Sequence, residues 1–371
     1  MRIGIDAKVL GKRYTGIAVY LHEMLRFFSI YAKEDEFFLF TNRDFELSKD
    51  FGPNIHKVVY KTANGSLKVI FGLSQMLKKY EIELFWGPEH ILPLWNCPCK
   101  RVVTIHDLAV LMNPKLGTRF NSFLAKFFVI PSCKKADRII AISKSTAKDV
   151  IRLSGVDLKK VEVIYNGDSP YKKNRHTFNE LEVRSIDKKL GIKDEFFLFV
   201  GTIEPRKNIP TIIKGYNIYR DNGGKGLLVI AGGLGWRFEE SLKSISESKY
   251  TSDIIMVGYC SNLEKEYLYG RAKCLLFPSL YEGLGLPIIE AMSLGTPVIT
   301  SRISSMPEVG GNAAFYIDDV YDAKALAKTM FALSSMDDVQ SETIQNKCKD
   351  QAKKFSRESC ARDILELFHK V

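Results

Sequence analysis

The chain has 371 residues, which is long for one hydrophobic core and suits two domains of ordinary size. Its composition, 46% hydrophobic and 26% charged, is that of a globular protein, and no apolar run reaches the ~20 residues that a membrane-spanning helix needs. The opening residues, MRIGIDAKVL, are typical of a buried strand and lack the apolar core and cleavage site of a signal peptide. We therefore expect a cytoplasmic protein.

Charge is unevenly distributed along the chain. Residues 1–175 carry 29 Lys and Arg against 17 Asp and Glu, whereas residues 176–371 carry 25 against 26. The basic first half indicates an anionic partner there: nucleic acid, a phosphate-bearing substrate or an anionic membrane surface. The seven cysteines fit a reducing compartment, and the spacing of Cys97 and Cys99 does not match a zinc or thioredoxin motif. We interpret the cysteines as packing residues.

Short apolar strands alternate with helical segments twice along the chain. The first half contains the predicted strands RIGIDAKVL, FFLFT, ELFWGP, RVVTIHD, RIIAIS and VEVIYNG, with helices at Ala18–Ala32 and Phe120–Ile130. The second half contains FFLFVG, GLLVIAG, DIIMVG, CLLFP and TPVIT, and the closing SRESCARDILELFHKV is typical of an amphipathic helix. Near-continuous apolar strands that alternate with helices indicate parallel sheets covered on both faces.

This alternation predicts an α/β fold with two Rossmann-like domains that face each other across a cleft. We expect an N-terminal domain over residues 1–170 and a C-terminal domain over 196–352. The polar stretch SPYKKNRHTFNE marks a linker, taken as 171–195. The closing helix, 353–371, is expected to return to the N-terminal domain.

The segment YEGLGLPIIEAMSLGTPVIT places two carboxylates on either side of a stretch that is built to bend. It follows the strand CLLFP, and Pro287 and the later Gly295 are typical of the start and stop of a helix. Glu282 would then lie on a glycine-rich loop and Glu290 in about the first turn of the helix, where backbone N–H groups favour an anion. The alternative is that Glu282 is solvated and that Glu290 only complements the helix dipole.

A basic pair follows the first strand of the second half, in GTIEPRKNIPTII. Arg206 and Lys207 stand just before a helix, where Arg can hold phosphate oxygens bidentately and Lys adds a point charge. A solvated basic turn is the alternative. The chain has no GxxxxGK[ST], HExxH, GxSxG or DxD-type motif. We expect no metal site, with Arg and Lys meeting a diphosphate instead.

Two further positions in the first half are candidates for ligand binding. Gly16 stands at a helix start after a strand and loop, which would suit a small anion; taken alone, this glycine is more typical of a simple tight turn. His106 and Asp107 end a strand, where ligand groups gather in α/β sheets. The alternatives are a histidine that is only hydrogen-bonded and an aspartate that caps the next segment.

Together these stretches resemble the retaining GT-B glycosyltransferases of glycosyltransferase family 4. The likeness rests on FVGTIEPRKNIPTII, on GYCSNLEKEYLYGRAKCLLFPSLYEGLGLPIIEAMSLGTPVITSRISSMPEVGGNAAFYID, and on TIHDLAVLMNP with AISKST and VIYNGD. It covers nearly the whole chain and is densest from Gly201 to Asp318. The resemblance implies transfer of a hexose from a nucleotide diphosphate sugar to a saccharide or lipid-linked saccharide acceptor, with retention of anomeric configuration.

The resemblance also implies that the domain over residues 1–170 binds the acceptor and the domain over 196–352 binds the nucleotide sugar, and it implies roles for individual residues. Glu282 would contact the hydroxyls of the donor sugar and Glu290 those of the ribose. Lys207, assisted by Arg206, would meet the diphosphate, and His106 would line the reaction centre. The remaining donor or acceptor contacts are then expected at Gly16, Gly201, Thr202, Gly283, Leu284, Gly285 and Leu286.

This chain departs from the family pattern at two places. Many members carry Gly-Arg where this chain has Gly201-Thr202, so the phosphate contact of that arginine would pass to Arg206 or be absent. Many relatives continue TGIGRY, whereas here Ala18 and Val19 replace the second Gly and the Arg. The acceptor contacts near that loop are therefore not implied.

The GTIEPRKN form is most similar to bacterial mannosyltransferases of cell-surface polysaccharide and lipopolysaccharide assembly, so GDP-mannose is the first choice of donor, used as a substrate with no cofactor. The alternatives are a UDP-linked sugar donor, or a GT-B phosphorylase or epimerase. A nucleic-acid-binding protein is a further alternative, but the basic residues form no nucleic-acid-binding motif, so we expect no nucleic acid partner.

For the basic half, we also expect a face that rests on an anionic inner leaflet. The alternative is that its aromatic residues, which recur at helical spacing, pack in the core. The residues of this face are Lys115, Arg119, Phe120, Phe123, Lys126, Phe127, Phe128, Lys134, Lys135 and Arg138.

Overall fold

The computed structural model describes residues 1–11, 16–61, 65–112, 125–167 and 176–371. It divides into two compact units. The first unit consists of Met1–Gly167 and Ser356–Val371, and the second unit of Asp168–Phe355. Each unit is built on one parallel β-sheet with helices, which confirms the predicted α/β class with two Rossmann-like sheets.

The sheet of the first unit has seven strands in the described residues, in the order β3-β2-β1-β4-β5-β6-β7, and every neighbouring pair is parallel. Alternate residues of its strands enter different cores. Phe37 and Leu39 of β2 lie in one hydrophobic cluster, and Phe38 and Phe40 lie in another. Both faces of the sheet are therefore buried, which explains why its strands are apolar without interruption. The strands are β1 Arg2–Asp6, β2 Glu36–Thr41, β3 Ile55–Val59, β4 Leu84–Gly87, β5 Lys100–Ile105, β6 Arg138–Ala141 and β7 Val161–Val163.

The closing helix, Arg357–Lys370, belongs to the first unit and packs on the helix Gly16–Tyr31. Its Phe368 ring meets the rings of Phe28 and Trp86, with centroids 6.0 and 5.5 Å apart. The closing helix thus lies in the same unit as residues 1–167. The other helices described in this unit are Gly65–Gly72, Ser74–Lys79, Ala109–Met112, Ile130–Lys135 and Lys144–Ser154, with a π-helical turn at Ala125–Val129 and a 3₁₀ turn at Leu158–Lys160.

The sheet of the second unit has six parallel strands in the described residues, in the order β10-β9-β8-β11-β12-β13. Strand β8 therefore lies beside β11, although more than 70 residues separate them in sequence. The strands are β8 Phe196–Val200, β9 Leu227–Ala231, β10 Ile254–Gly258, β11 Cys274–Phe277, β12 Val298–Ser301 and β13 Phe315–Ile317. The helices are Glu180–Leu190, Ile209–Asp221, Glu239–Ser246, Asn262–Arg271, Leu286–Ser293, Met306–Gly310, Ala323–Ser334 and Asp338–Ala352, with 3₁₀ turns at Pro205–Lys207 and Thr251–Asp253.

Part of the segment predicted as a linker is helical. Within 171–195, residues Glu180–Leu190 form a helix of the second unit, and residues 171–175 lie outside the described residues. The helix begins with a capping box in which Asn179 and Glu182 bond each other's backbone N–H groups, and it ends at Gly191, φ 73°. These caps are local signals that fix a helix without much apolar periodicity.

Two strands were not predicted from the sequence, and one predicted helix was only partly correct. Strand β3 has the sequence IHKVV, with partly exposed positions, and β13 has only three residues. Short or half-polar segments become strands when neighbouring strands supply hydrogen-bond partners. Of the predicted helix Phe120–Ile130, residues 120–124 lie outside the described part, and Ala125–Val129 form a π-helical turn. Among the described residues, no helix is long and apolar enough to cross a membrane.

Candidate functional site

Two loops of the second unit meet because β8 and β11 are parallel neighbours and end at the same edge of the sheet. We call residues 201–208 the β8 loop and residues 278–285 the β11 loop. The side-chain amide of Asn208 joins them, since it donates to the carbonyl oxygens of Pro278, at 3.1 Å, and Val320, at 2.8 Å. Asn208 has a left-handed backbone, φ 56°, which asparagine tolerates better than most residues.

Glu282 on the β11 loop is held by both basic residues of the β8 loop. Its Oε1 accepts a hydrogen bond from Lys207 Nζ at 2.7 Å, and its Oε2 accepts one from Arg206 Nη1 at 2.6 Å. Lys207 and Glu282 are each only 6% exposed. Charge-assisted hydrogen bonds in such buried surroundings are among the strong ones in proteins.

A second carboxylate holds Arg206 from the other side. Glu204 Oε1 accepts from Arg206 Nε at 3.0 Å and from Nη2 at 2.7 Å, and Glu204 Oε2 accepts from Trp236 Nε1 at 3.1 Å. The four charged groups, Glu204, Arg206, Lys207 and Glu282, therefore balance in formal charge. The guanidinium plane is fixed by two carboxylates, which leaves it pre-organised beside the loop backbone.

The protonation of this cluster follows from burial and neighbouring charge. Burial alone would raise the pKa of Glu282, but the charges of Lys207 and Arg206 outweigh burial and hold it below its usual range. Burial, together with the neighbouring charge of Arg206, lowers the pKa of Lys207, although Glu282 raises it. The Lys207 ammonium also lies over the Phe277 ring, 4.8 Å from its centroid. The Glu282 carboxylate is thus ionised at neutral pH, and the Lys207 ammonium is largely shielded from water.

The backbone of the β11 loop is fixed by two serines. Ser304 Oγ accepts from the backbone N–H of Glu282 at 3.2 Å and donates to its carbonyl oxygen at 2.5 Å. Ser305 Oγ lies 2.9 Å from the carbonyl oxygen of Glu282 and 3.0 Å from that of Leu284. Gly283 and Leu284 are buried within this loop. Glu282 is therefore positioned by its backbone as well as by its side chain.

The β11 loop leads directly into a helix N-terminus. Gly285 caps the helix Leu286–Ser293 with φ 94°, a conformation that favours glycine, and Pro287 occupies its first turn. The unpaired N–H groups of such a start attract anions. The predicted bend of the segment and its helix start are thus observed.

Glu290 lies farther along this helix than expected, as its fifth residue and so in the second turn. Its Oε2 accepts a hydrogen bond from the hydroxyl of buried Tyr269 at 2.8 Å. Glu290 remains half-buried. A carboxylate fixed by a tyrosine at one oxygen is suited to accept hydroxyl donors at the other.

The start of the β8 loop lies against the loop that follows β9. Gly201, φ 154°, donates its N–H to the Ala231 carbonyl oxygen at 2.9 Å. A Cβ added to Gly232 would lie 1.9 Å from the Gly201 carbonyl oxygen, so the two backbones touch. Only glycine at position 232 permits this close approach of the two backbones. Thr202, the position where many relatives carry Arg, is exposed.

The remaining predicted residues belong to the first unit. His106 follows β5 and is buried; its Nε2 lies 2.8 Å from the Pro88 carbonyl oxygen, to which it donates, and its Nδ1 lies 3.4 Å from Asn166 Nδ2. Burial, with help from His90, lowers the pKa of His106 to about 4. His106 is therefore neutral near pH 7 with its proton on Nε2.

Gly16 is the first residue of the helix Gly16–Tyr31 and is exposed, with open space where a Cβ would stand. The preceding residues 12–15 lie outside the described part of the chain. Asp107 accepts the backbone N–H of Ala109 at 3.1 Å, as expected of a capping aspartate.

The structure thus brings Arg206, Lys207 and Glu282 into direct contact, although 75 residues separate Lys207 from Glu282. Sequence reasoning missed the residues that hold this group in place. Glu204 ends the turn after a strand, and this position in the sequence could have indicated a role in the site. Nothing in the local sequence distinguishes the others: Asn208, Trp236, Tyr269, Ser304 and Ser305.

Two family models match the chain, one on each half. Residues 182–355 match "Glycosyl transferases group 1", and residues 14–168 match "Glycosyltransferase Family 4". The chain is similar to the O-antigen chain mannosyltransferase B of Escherichia coli, with 28% identity over 79% of this chain and 75% of that protein. The O-antigen chain mannosyltransferase RfbU of Salmonella typhimurium is 29% identical over 66% of this chain and 64% of its own length. The serotype-specific mannosyltransferase WbdA of Escherichia coli is 29% identical over 76% of this chain, which spans only 34% of that relative.

Solved structures share the fold at low identity. A structure of Anabaena Alr3699/HepE in complex with UDP and glucose aligns with a TM-score of 0.75 and 17% identity, covering 100% of this chain and 99% of that one. WaaG, a glycosyltransferase involved in lipopolysaccharide biosynthesis, aligns with a TM-score of 0.72 and 16% identity over 99% of both chains. Both halves carry the family signature, and the whole chain has the fold of these structures. The chain therefore belongs to the group 1 glycosyltransferases of glycosyltransferase family 4.

Proposed function

We propose that this glycosyltransferase moves mannose from GDP-mannose to a saccharide or lipid-linked saccharide acceptor in cell-surface polysaccharide synthesis, with retention of anomeric configuration. The observation that carries the proposal is the contact of Glu282 with Arg206 and Lys207 beside the start of the helix Leu286–Ser293. A donor sugar nucleotide needs both a cationic place for its diphosphate and an acceptor of hydrogen bonds for its sugar hydroxyls. The β8 and β11 loops supply both groups at the point where Glu282 contacts Arg206 and Lys207.

The two cations of the cluster, beside a helix N-terminus, support a diphosphate as its ligand. Without a ligand the two cations are paired with Glu204 and Glu282. A diphosphate adds negative charge to Arg206, Lys207 and the helix N-terminus, which releases Glu282 to accept sugar hydroxyls. Negative charge on the leaving diphosphate grows in the transition state, so these groups would stabilise it more than the ground state. Glu290, held by Tyr269 one turn along the helix, would accept the ribose hydroxyls.

The acceptor hydroxyl would attack from the face that the diphosphate leaves, and a β-phosphate oxygen would take its proton. His106 would line the reaction centre as a neutral imidazole. Arg206 and Lys207 supply the positive charge beside the diphosphate that a divalent metal ion supplies in other enzymes. We therefore propose a reaction without metal or cofactor. Mannose is favoured because the relatives named above are mannosyltransferases; a UDP-linked sugar is the alternative, supported by the UDP complex of HepE.

A binding panel followed by product analysis tests this proposal. Thermal shift of the full chain against GDP-, UDP-, ADP- and CMP-linked sugars should give the largest stabilisation with GDP-mannose, about 2.7 kcal/mol at 100-fold over Kd. Proton NMR of the product should show the anomeric configuration of the donor. Activity should survive EDTA. If only UDP-linked sugars stabilise the chain, the donor is a UDP-linked sugar and not GDP-mannose. A product of inverted anomeric configuration would overturn the proposed retention.

A membrane surface is the partner that a second observation favours. Phe71, Trp95 and Phe127 are 52%, 57% and 53% exposed, and the ring of Phe71 lies 4.9 Å from that of Trp95 and 6.4 Å from that of Phe128. Exposed Lys126, Lys134 and Lys135 lie on the segment that also carries Phe127 and Phe128. Of the basic and aromatic residues predicted for this face, Lys115, Arg119, Phe120 and Phe123 lie outside the described residues.

Aromatic side chains beside lysines suit the headgroup region of an anionic leaflet. We propose that the enzyme rests reversibly on the cytoplasmic leaflet, where a lipid-linked acceptor would be presented. Sedimentation with phosphatidylglycerol vesicles, compared with phosphatidylcholine alone, should show binding that salt releases. Phe71→Ser with Trp95→Ser should weaken it. Equal binding to both vesicle types would leave a soluble acceptor as the better proposal.

A further inference from the structure

Two of the seven cysteines differ from the rest in their exposure. Cys97 and Cys99 are partly exposed, whereas the other five are buried: Cys133, Cys260, Cys274, Cys348 and Cys360. Burial raises the pKa of each of those five thiols and keeps them protonated and unreactive. A packing role therefore fits these five cysteines and leaves the Cys97–Cys99 pair to be explained.

The two thiols of this pair face each other just before β5. Cys97 Sγ and Cys99 Sγ lie 3.6 Å apart, within hydrogen-bond distance for two sulfur atoms. Pro98 between them is exposed, and Cys99 directly precedes Lys100, the first residue of β5. A disulfide bond holds its sulfur atoms at about 2.05 Å, so a small approach of the two side chains would allow a bridge.

The chain is anchored on both sides of the pair. Asn96, just before it, adopts φ 45°, and its carbonyl oxygen accepts a hydrogen bond from Ser74 Oγ at 2.5 Å. After the pair, the backbone N–H of Arg101 donates to Asp137 Oδ2 at 2.8 Å, and Arg101 Nη1 donates to the Pro93 carbonyl oxygen at 3.3 Å. These contacts fix the ends of the short segment between them, so the two sulfur atoms are held close together.

The surroundings favour the thiolate of Cys97. The hydrogen bond from the Cys99 thiol, helped by the charge of Arg101, lowers the pKa of Cys97 to about 7, although burial and Asp137 oppose this. The same contact and burial raise the pKa of Cys99. A thiolate, not a thiol, is the nucleophile in cysteine chemistry. Cys97 is therefore the reactive member of the pair at neutral pH, with a protonated thiol beside it.

We propose that Cys97 and Cys99 form a reversible thiol–disulfide site, in which Cys97 attacks a low-molecular-mass disulfide and Cys99 resolves the product. The Cys97 thiolate attacks one sulfur of the small disulfide, whose S–S bond breaks, and one small thiolate leaves and takes up a proton. Cys99 then loses its proton and attacks the Cys97 sulfur, which expels the second small thiolate. The protein dithiol is thereby oxidised by two electrons, and the small disulfide is reduced to two thiols.

The geometry favours a labile bridge over a structural one. A disulfide that spans a single residue closes a very short loop, so it removes little entropy from the unfolded chain. Exposed or strained disulfides are the more easily reduced ones. A structural zinc site needs four ligands, and among the residues that the structure describes no group of three or more His, Cys, Asp or Glu could hold a metal ion. The pair precedes β5 whereas His106 follows it, so this inference does not depend on the proposed donor or acceptor.

The test counts thiols in the full chain by mass spectrometry after treatment with glutathione disulfide at pH 7. Wild type should lose two thiols and retain no glutathione, with the bridge inside the tryptic peptide Tyr80–Lys100, and dithiothreitol should restore both thiols. Cys99→Ser should stop at the mixed disulfide, with one glutathione on Cys97. Cys97→Ser should react about fivefold more slowly than Cys99→Ser, because Cys99 is a thiolate less often.

The buried cysteines provide the controls. They should stay unmodified in the native chain and react with maleimide only after unfolding. The matched control is Cys260→Ser, which removes a buried thiol of the second unit and should still lose two thiols on oxidation. Seven free thiols in treated wild type would overturn the site. Glutathione retained on wild-type Cys97, or a disulfide between two chains, would overturn the role of Cys99 as the resolving thiol.

Discussion

Lys207 Nζ and Glu282 Oε1 lie 2.7 Å apart, and each of the two side chains is only 8% exposed. Removing one member of such a pair leaves the other charge buried without its partner, which costs about 3–5 kcal/mol. Lys207→Met and Glu282→Gln should therefore each lower the free energy of unfolding in urea. The double variant should lose about 0.5–3 kcal/mol less than the sum of the single variants. Additive losses would show that the two groups do not stabilise each other.

Turnover should depend on the two cations of the β8 loop. Because charge grows on the leaving diphosphate, Arg206→Ala or Lys207→Ala should lower kcat by about 10²–10³-fold, as for the loss of other transition-state donors. The control is Lys243→Ala, an exposed lysine of the same unit, which should leave kcat unchanged. Activity of the double Arg206→Ala, Lys207→Ala variant within twofold of wild type would exclude a diphosphate role.

Nucleotide affinity should depend on Glu290. If its carboxylate accepts the ribose hydroxyls, Glu290→Ala should weaken binding of the free nucleotide about tenfold or more, since each hydrogen bond to a charged group contributes about 1.5–3 kcal/mol. Tyr269→Phe removes only the hydroxyl that fixes one oxygen of Glu290, so its effect should be smaller. Isothermal titration with GDP compares the two variants. Unchanged affinity in Glu290→Ala would mean that this carboxylate only complements the helix dipole.

Stability should fall in acid because His106 is buried in its neutral form. Its pKa is about 4 in the folded chain against about 6.5 for an exposed histidine, so between these values the unfolded chain binds the extra proton. Stability should therefore decrease as pH falls from about 6.5 to 4, by about 3 kcal/mol for this residue. His106→Gln keeps an N–H donor for the Pro88 carbonyl and should flatten the curve in urea unfolding. His90, whose pKa burial also lowers, should contribute to the remaining slope, as should Glu282, whose pKa is held below its usual range by Lys207 and Arg206.

The close contact between the β8 loop and the loop after β9 should depend on Gly232 and not on the adjacent Gly233. Gly232 has φ 146° and no room for a Cβ, whereas a Cβ at Gly233 would meet nothing within 4 Å. Gly232→Ala should destabilise the chain by more than about 1 kcal/mol and weaken nucleotide binding, because it pushes the β8 loop away. Gly233→Ala should leave the melting temperature and the affinity nearly unchanged. Equal effects of both substitutions would contradict the close approach.

Local patterns in the sequence determined most of the fold. Continuous apolar runs predicted eleven of the thirteen strands that the described residues contain, because a strand buried on both faces needs apolar residues at every position. Gly285 and Pro287 likewise predicted the loop-to-helix junction that separates Glu282 from Glu290, since φ above zero and a missing N–H are local requirements. Strands β3 and β13 were missed because their pairing, not their own composition, makes them strands.

Only the tertiary structure decided the chemistry of the sites. Whether Glu282 was solvated or paired depended on strand order: β8 and β11 are neighbours, so Arg206 and Lys207 meet a carboxylate that is 76 and 75 residues away from them, respectively. The neutral state of His106 and the ion pair of Lys8 with Glu89 likewise depend on burial by distant segments. Periodicity and capping are properties of adjacent residues, whereas the pKa and pairing of a charge depend on whatever the fold places around it.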